Sequence, residues 1–129
     1  MGIEFDTHEI TVLADAINKA SRVAESDAQK VVFRGAIQIK KDAARRIRGH
    51  RRLRKLPWSI DFDTYRSLKG PAAEIGPNHS KGQGALGNIA EYGTVNNPPI
   101  PFMRPAADAE QPRFEKAMED LAVKALGLQ

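Results

Sequence analysis

The chain has 129 residues, a formal net charge of +4, a pI of about 9.6 and no cysteine. That length suits a single domain, here taken as 1–129, and can bury a core without staples. The missing thiols exclude disulfides, thiolate metal sites and cysteine nucleophiles, and no run of about 18 apolar residues is present to span a membrane.

The opening residues MGIEFDTHEI carry acids where a secretory signal carries positive charge, so they read as part of the fold. The chain end, Leu128-Gln129, offers no cysteine for lipidation. Ile3 to Phe5 suggests a short strand. Asp6 and Glu9 have capping-box spacing. Ile10, Leu13, Ala14 and Ile17 fall on one helical face, and that pattern fades between Arg22 and Glu25. Ser26 and Gln29 form a second capping-box pattern and predict the start of a long helix. Its apolar stripe is Val32, Ala36, Ile39, Ala43 and Ile47, widened by Phe33, Ile37 and Ala44. Lys30, Arg34, Gln38, Lys41, Arg45 and Arg48 line the opposite side, so the helix packs on one face and is cationic on the other. Gly49 suits its end.

His50 to Pro57 reads as an exposed connection carrying Arg51, Arg52 and Arg54. Trp58, Ile60 and Phe62 alternate with Ser59 and Asp61, the pattern of a half-buried strand. Gly70-Pro71 signals a turn, and Ala72 to Gly76 a weaker strand that pairs with the first as a hairpin. Pro77 to Asn88 reads as a polar, flexible loop. Ile89 to Tyr92 fits no single element. Pro98, Pro99 and Pro101 predict an extended, polyproline-like path. Pro105 suits a first helical position. Pro112 predicts the firm start of a last helix with Phe114, Ala117, Met118, Leu121 and Ala125 on its apolar face and Gly127 at its end. The order implies an α+β fold: a small antiparallel sheet packed with two to three helices, including one long basic amphipathic helix.

Catalytic constellations are missing from this pattern. Gly82 to Gly87 spells the dinucleotide fingerprint G-x-G-x-x-G, but neither a buried strand before it nor a helix N-terminus after it is indicated. His8, His50 and His79 share no ligand spacing, so no metal site is expected. Asn78-His79-Ser80 places a serine beside a histidine without nucleophile–base geometry. The expectation is a protein with no catalytic role and no cofactor. Two features remain. The basic face of Arg34, Lys41, Arg45, Arg48, Arg51, Arg52 and Arg54 is either a solvated surface or a contact for phosphate or an acidic protein. With no interleaved aromatics it does not suggest sequence reading of DNA. The segment Asn96 to Pro105, with its prolines, apolar Ile100, Phe102 and Met103, and Arg104, suits assembly, because prolines limit the entropy lost on docking.

The boxes Glu91-Tyr92-Gly93-Thr94 and Pro101-Phe102-Met103-Arg104-Pro105-Ala106 resemble the phage tail-component family typified by gene product ten of the HK-type lambdoid phages. The upstream layout is similar: a short strand and helix, a long Lys/Arg/Ala helix, and RLRKLPWSI leading into a strand. The chain departs from the family at Ala85 to Ala90, where a tyrosine-rich lead-in is usual, at Arg51 to Leu56, and at Pro112. The resemblance implies a structural virion protein of the head–tail junction, or neck, of a long-tailed bacteriophage. Tail completion and head–tail joining by ring assembly are the roles it implies, with six subunits favoured. A tail terminator or minor tail protein is the alternative within the family, and a small basic nucleic-acid-binding protein the alternative outside it. Implied partners are other copies of the chain, a connector or stopper, the tail terminator or tail tube, and passing DNA through non-specific contact. The implied locations are the virion and, during assembly, the host cytoplasm. Interface candidates are Glu91, Tyr92, Gly93, Thr94, Val95, Asn96, Asn97, Pro98, Pro99, Ile100, Pro101, Phe102 and Arg104, with Val95 to Ile100 as the variable tip.

Overall fold

The structure, a computed structural model, describes residues 18–127. The expected strand at Ile3 to Phe5, the Asp6-Glu9 box, His8 and the stripe from Ile10 to Ile17 lie outside the described residues.

The fold is α+β, with a two-stranded antiparallel sheet and four α-helices among the described residues. Helix α1, Asn18–Ile47, is 30 residues long, about 45 Å at 1.5 Å per residue. It runs through the break expected near Arg22 to Ser26. Ala24 and Ala28 are buried and continue the spacing of Val32, Ala36, Ile39, Ala43 and Ile47. One apolar stripe thus crosses the proposed boundary, and its burial outweighs the local capping preference of Ser26, which sits exposed in the helix. Phe33 does not widen the core as expected. It is half exposed and meets Phe62 edge-on at 5.4 Å. The Arg48 N–H still donates to Ala44 O, and Gly49 at φ +92° ends the helix.

A 3-10 turn at Arg51–Leu53 leads to a short helix α2, Leu56–Ser59, with Pro57 in its first turn. This corrects the expected strand start. Trp58 belongs to α2, not to a strand face shared with Ile60 and Phe62, and it is 78 % exposed. The buried Ser59 hydroxyl donates to Leu56 O, closing α2. Strand β1, Ile60–Ser67, then pairs with β2, Gly70–Pro77, in the register Ile60↔Pro77, Phe62↔Ile75 and Thr64↔Ala73. The hairpin is longer than its alternation indicated. The turn falls at Leu68-Lys69, two residues before the expected Gly70-Pro71, which instead opens β2. Ser67 Oγ holds that turn, accepting from Lys69 N–H and donating to Gly70 O.

Residues 78–92 fold into a compact connection, correcting the expected flexible loop. It holds a 3-10 turn at Gly84–Leu86 and a short helix α3, Gly87–Tyr92. The glycines of the G-x-G-x-x-G pattern mark close approaches of main chain. A Cβ on Gly84 would lie 1.8 Å from Asn78 O, and one on Gly87 would lie 2.6 Å from Pro77 Cγ. The last helix, α4, spans Met103–Ala125 and contains Pro112. It begins nine residues before the expected start at Pro112. Pro112 is on the exposed side of α4, so the carbonyl it leaves without a helical partner faces water. Pro105 sits in the third helical position, not the first.

The core lies where α1, α4, the hairpin and α2 meet. Helices α1 and α4 run antiparallel, with Lys124 Nζ 3.8 Å from Asp27 near one end. Alanines on α1 let the bulkier Phe114, Met118 and Leu121 of α4 approach closely.

Candidate functional site

The two sequence boxes are joined by one side chain. Glu91, at the end of α3, is 5 % exposed. Its Oε1 accepts the backbone N–H groups of Phe102 at 3.0 Å and Met103 at 2.9 Å, and its Oε2 accepts that of Arg104 at 3.2 Å. A helix start leaves its first N–H groups without partners and favours negative charge. The next residue, Pro105, has no N–H. One carboxylate from a neighbouring helix therefore satisfies the start of α4, where Phe102 supplies no side-chain cap.

The other letters have equally concrete roles. Gly93 adopts φ +75° and ψ −178°, and a Cβ there would lie 2.8 Å from both Asn97 O and Pro99 N. Thr94 and Asn97 exchange backbone hydrogen bonds of 2.9 and 3.2 Å, and Asn97 Nδ2 donates to Thr94 Oγ1 at 3.1 Å. The tip is thus a closed turn with Val95 and Asn96 at its apex, and only the chain from Pro98 onward is extended. The Ile100 N–H donates to Ala90 O at 2.6 Å. Phe102 is fully buried, and Met103 and Ala106 nearly so.

This placement divides the interface candidates. Glu91 and Phe102 are inside the subunit and fix the segment, and Ile100 packs against the core. Gly93 is half-buried beneath the turn. Tyr92, Thr94, Val95, Asn96, Asn97, Pro98, Pro99, Pro101 and Arg104 face outward. Tyr92 is 71 % exposed and Val95 fully so. Arg104 reaches along its own helix to Asp108 at 3.2 Å. The variable tip is therefore Val95 to Pro99, one residue shorter than expected.

The basic candidates Arg34, Lys41, Arg45, Arg48, Arg51, Arg52 and Arg54 are all exposed. Arg34 and Gln38 border α4 beside Glu110 and Arg113. Farther along α1, Lys40, Lys41, Arg45 and Arg48 join Ala44, Pro57 and Trp58 around a groove of about 480 Å³. Asp42 engages Arg45 and lies 3.0 Å from Arg46. Burial pushes the Asp42 carboxyl up, but hydrogen bonds and charge from the two arginines outweigh it and hold its pKa below the ordinary value. Lys40 Nζ sits 5.9 Å from the centre of the Phe62 ring. Asp61 is lowered by hydrogen bonds from Asn78 and Lys81.

Gln83 is a positioning residue that sequence reasoning missed. Its Oε1 accepts Lys55 N–H at 2.8 Å and its Nε2 donates to Arg52 O at 2.7 Å. The side chain clamps the backbone of the basic connection so that Arg51, Arg52 and Arg54 project outward. Flanking Gly82, at φ +48°, lets the loop press on Lys55 O. The glycine spacing was the visible signal, though it reports packing and not phosphate binding.

Among the described residues, no three His, Cys, Asp or Glu side chains converge as a metal site, and no helix is long and apolar enough to cross a membrane. No family model, curated protein or solved structure matches the chain.

Proposed function

We propose that this chain is a structural subunit of the head–tail junction of a long-tailed bacteriophage, completing the tail and joining it to the head as part of a ring. The observation that carries the reading is the Glu91 carboxylate bound to three N–H groups at the start of α4. It gives a physical role to the most specific residues of the family resemblance. It also fixes the base from which an exposed turn projects. A ring needs heterologous contacts that close by rotation, and a preorganised projection limits the entropy lost on forming them. Tyr92, Val95 and the prolines beyond supply apolar, conformationally restricted surface for such a contact. Six copies, with the connector or stopper on one side and the terminator or tail tube on the other, complete the proposal.

The test replaces Val95–Pro98 with a Gly/Ser run in a phage carrying this gene. The isolated variant is expected to keep its circular dichroism and melting temperature, because the exchanged side chains are exposed, while heads and tails accumulate unjoined. Normal yields of joined particles refute the assignment of the tip. Light scattering of the wild-type chain mixed with neighbouring junction proteins is expected to show a ring-sized mass.

A further inference from the structure

The groove between the C-terminal half of α1 and helix α2 brings together residues that are distant in the sequence pattern. Lys40, Lys41, Arg45 and Arg48 line it, and no acidic residue does. Trp58 stands at its edge, 78 % exposed. A large indole left in water contributes nothing to this core, and α2 has a buried face in Leu56, Pro57 and Ser59 without it. Asp42 offsets only part of the charge: it engages Arg45 and Arg46, whereas Lys41 and Arg48 have no ion-pair partner among the described residues.

We propose that this groove binds unpaired nucleic acid, with its phosphates held by Lys40, Lys41, Arg45 and Arg48 and a base stacked on Trp58. A cationic track beside an exposed aromatic ring is the arrangement that grips single strands without reading sequence. The indole decides between occupants. An acidic peptide satisfies the cations but offers no flat face to the ring. A duplex satisfies them too, but its base faces are stacked inside. Only an unpaired base presents a π-face next to its own phosphate. The connection between α1 and α2 adds exposed positive charge, since Gln83 bonds its backbone at Arg52 and Lys55 while Arg51, Arg52 and Arg54 are exposed. The inference stands apart from the neck assignment, which rests on the Glu91 segment, so either can fail alone.

Trp58 is the chain's single tryptophan, so its fluorescence reports on the groove directly. The full-length protein is titrated at low salt with oligo-dT of about ten nucleotides, with a duplex of equal phosphate number, and with polyglutamate. Oligo-dT is expected to quench the emission, and its affinity to fall with salt at a log–log slope of about −3, the value for four phosphates on a single strand. The duplex is expected to bind more weakly with little quenching, and polyglutamate weakest. By anisotropy of labelled oligo-dT, Trp58→Ala should bind about tenfold more weakly with an unchanged salt slope. Arg45→Glu with Arg48→Glu should flatten the slope. Melting curves of both variants check that they fold. Three results overturn the proposal: no quenching by oligo-dT, a duplex that binds and quenches equally well, or polyglutamate that competes on equal terms. The last of these assigns the groove to an acidic protein.

Discussion

Glu91 shows how far one side chain can reach in a small fold. Its partners lie 11 to 13 positions later in the chain, beyond the three-residue spacing by which helix caps are recognised from sequence. The box that contains it was visible in the sequence, but its action on the second box was not. Glu91→Ala leaves the three N–H groups without their acceptor, two of them buried. The expected loss is about 3 kcal/mol, measured as a lower denaturant midpoint. Glu91→Gln keeps one acceptor oxygen and should lose about half as much. An unchanged midpoint for the alanine variant would show that α4 starts without this carboxylate.

Glu110 is the opposite case. It is 6 % exposed on the face of α4 turned towards α1, and burial raises its pKa above the ordinary value. The Arg113 charge works against that rise and the Asp42 charge adds to it. The folded chain therefore holds this proton more tightly than the unfolded chain. The stability it contributes is complete below the unfolded pKa and is lost as pH rises through the folded one. Glu110→Gln should consequently melt about 2 °C above the wild type at neutral pH, with the difference vanishing at or below about pH 4. A difference that grows on acidification contradicts this account.

At the scale of elements, periodicity was the dependable signal and punctuation the misleading one. The α1 stripe was legible because Val32, Ala36, Ile39, Ala43 and Ile47 repeat at the helical period and are all buried. Ser26 and Pro112 look like boundaries, yet both lie inside helices. Local capping and proline rules carry no information about which face of a helix will be wet. Trp58 shows the same weakness, since the five residues from Trp58 to Phe62 alternate correctly while the strand begins only at Ile60. Pro57 just before it had the sequence signature of a helical first turn. For α4, Pro112→Ala restores an N–H opposite the exposed Asp108 carbonyl. It should stabilise the protein by about 1 kcal/mol, the net worth of one intramolecular hydrogen bond, and slow amide exchange in the surrounding turn. A neutral or destabilising result would mean that the proline has a packing role.

On the scale of the whole molecule, the fold class was readable because one long helix, a hairpin and a last helix each carry their own period. The candidate surfaces were only half readable. The cations of the basic face are evident in sequence, but Trp58 alternates with Ile60 and Phe62 as one face of a half-buried strand, and only the short helix α2 places the indole beside the cations. Likewise, the segment proposed for assembly stands out in the sequence, but its division into inward anchors and an outward turn depends on tertiary contacts. The two surfaces lie on separate elements: the groove on α1 and α2, the projecting turn between α3 and α4. The two proposals therefore make no competing demand on one surface, and each can be tested by substitutions that leave the other surface intact.

The fastening of Ile100 to Ala90 and of Phe102 to Glu91 also bears on how this chain can change over evolutionary time. Because the segment is pinned at its base by Ile100 to Ala90 and by Glu91 to the start of α4, extra residues at its apex leave both anchors in place. Closing a longer loop costs only slowly more, about 0.6 kcal/mol for each doubling of its length. The apex between Val95 and Asn96 is thus a position where a lineage can sample insertions, reshaping this projection without redesigning the fold that carries it.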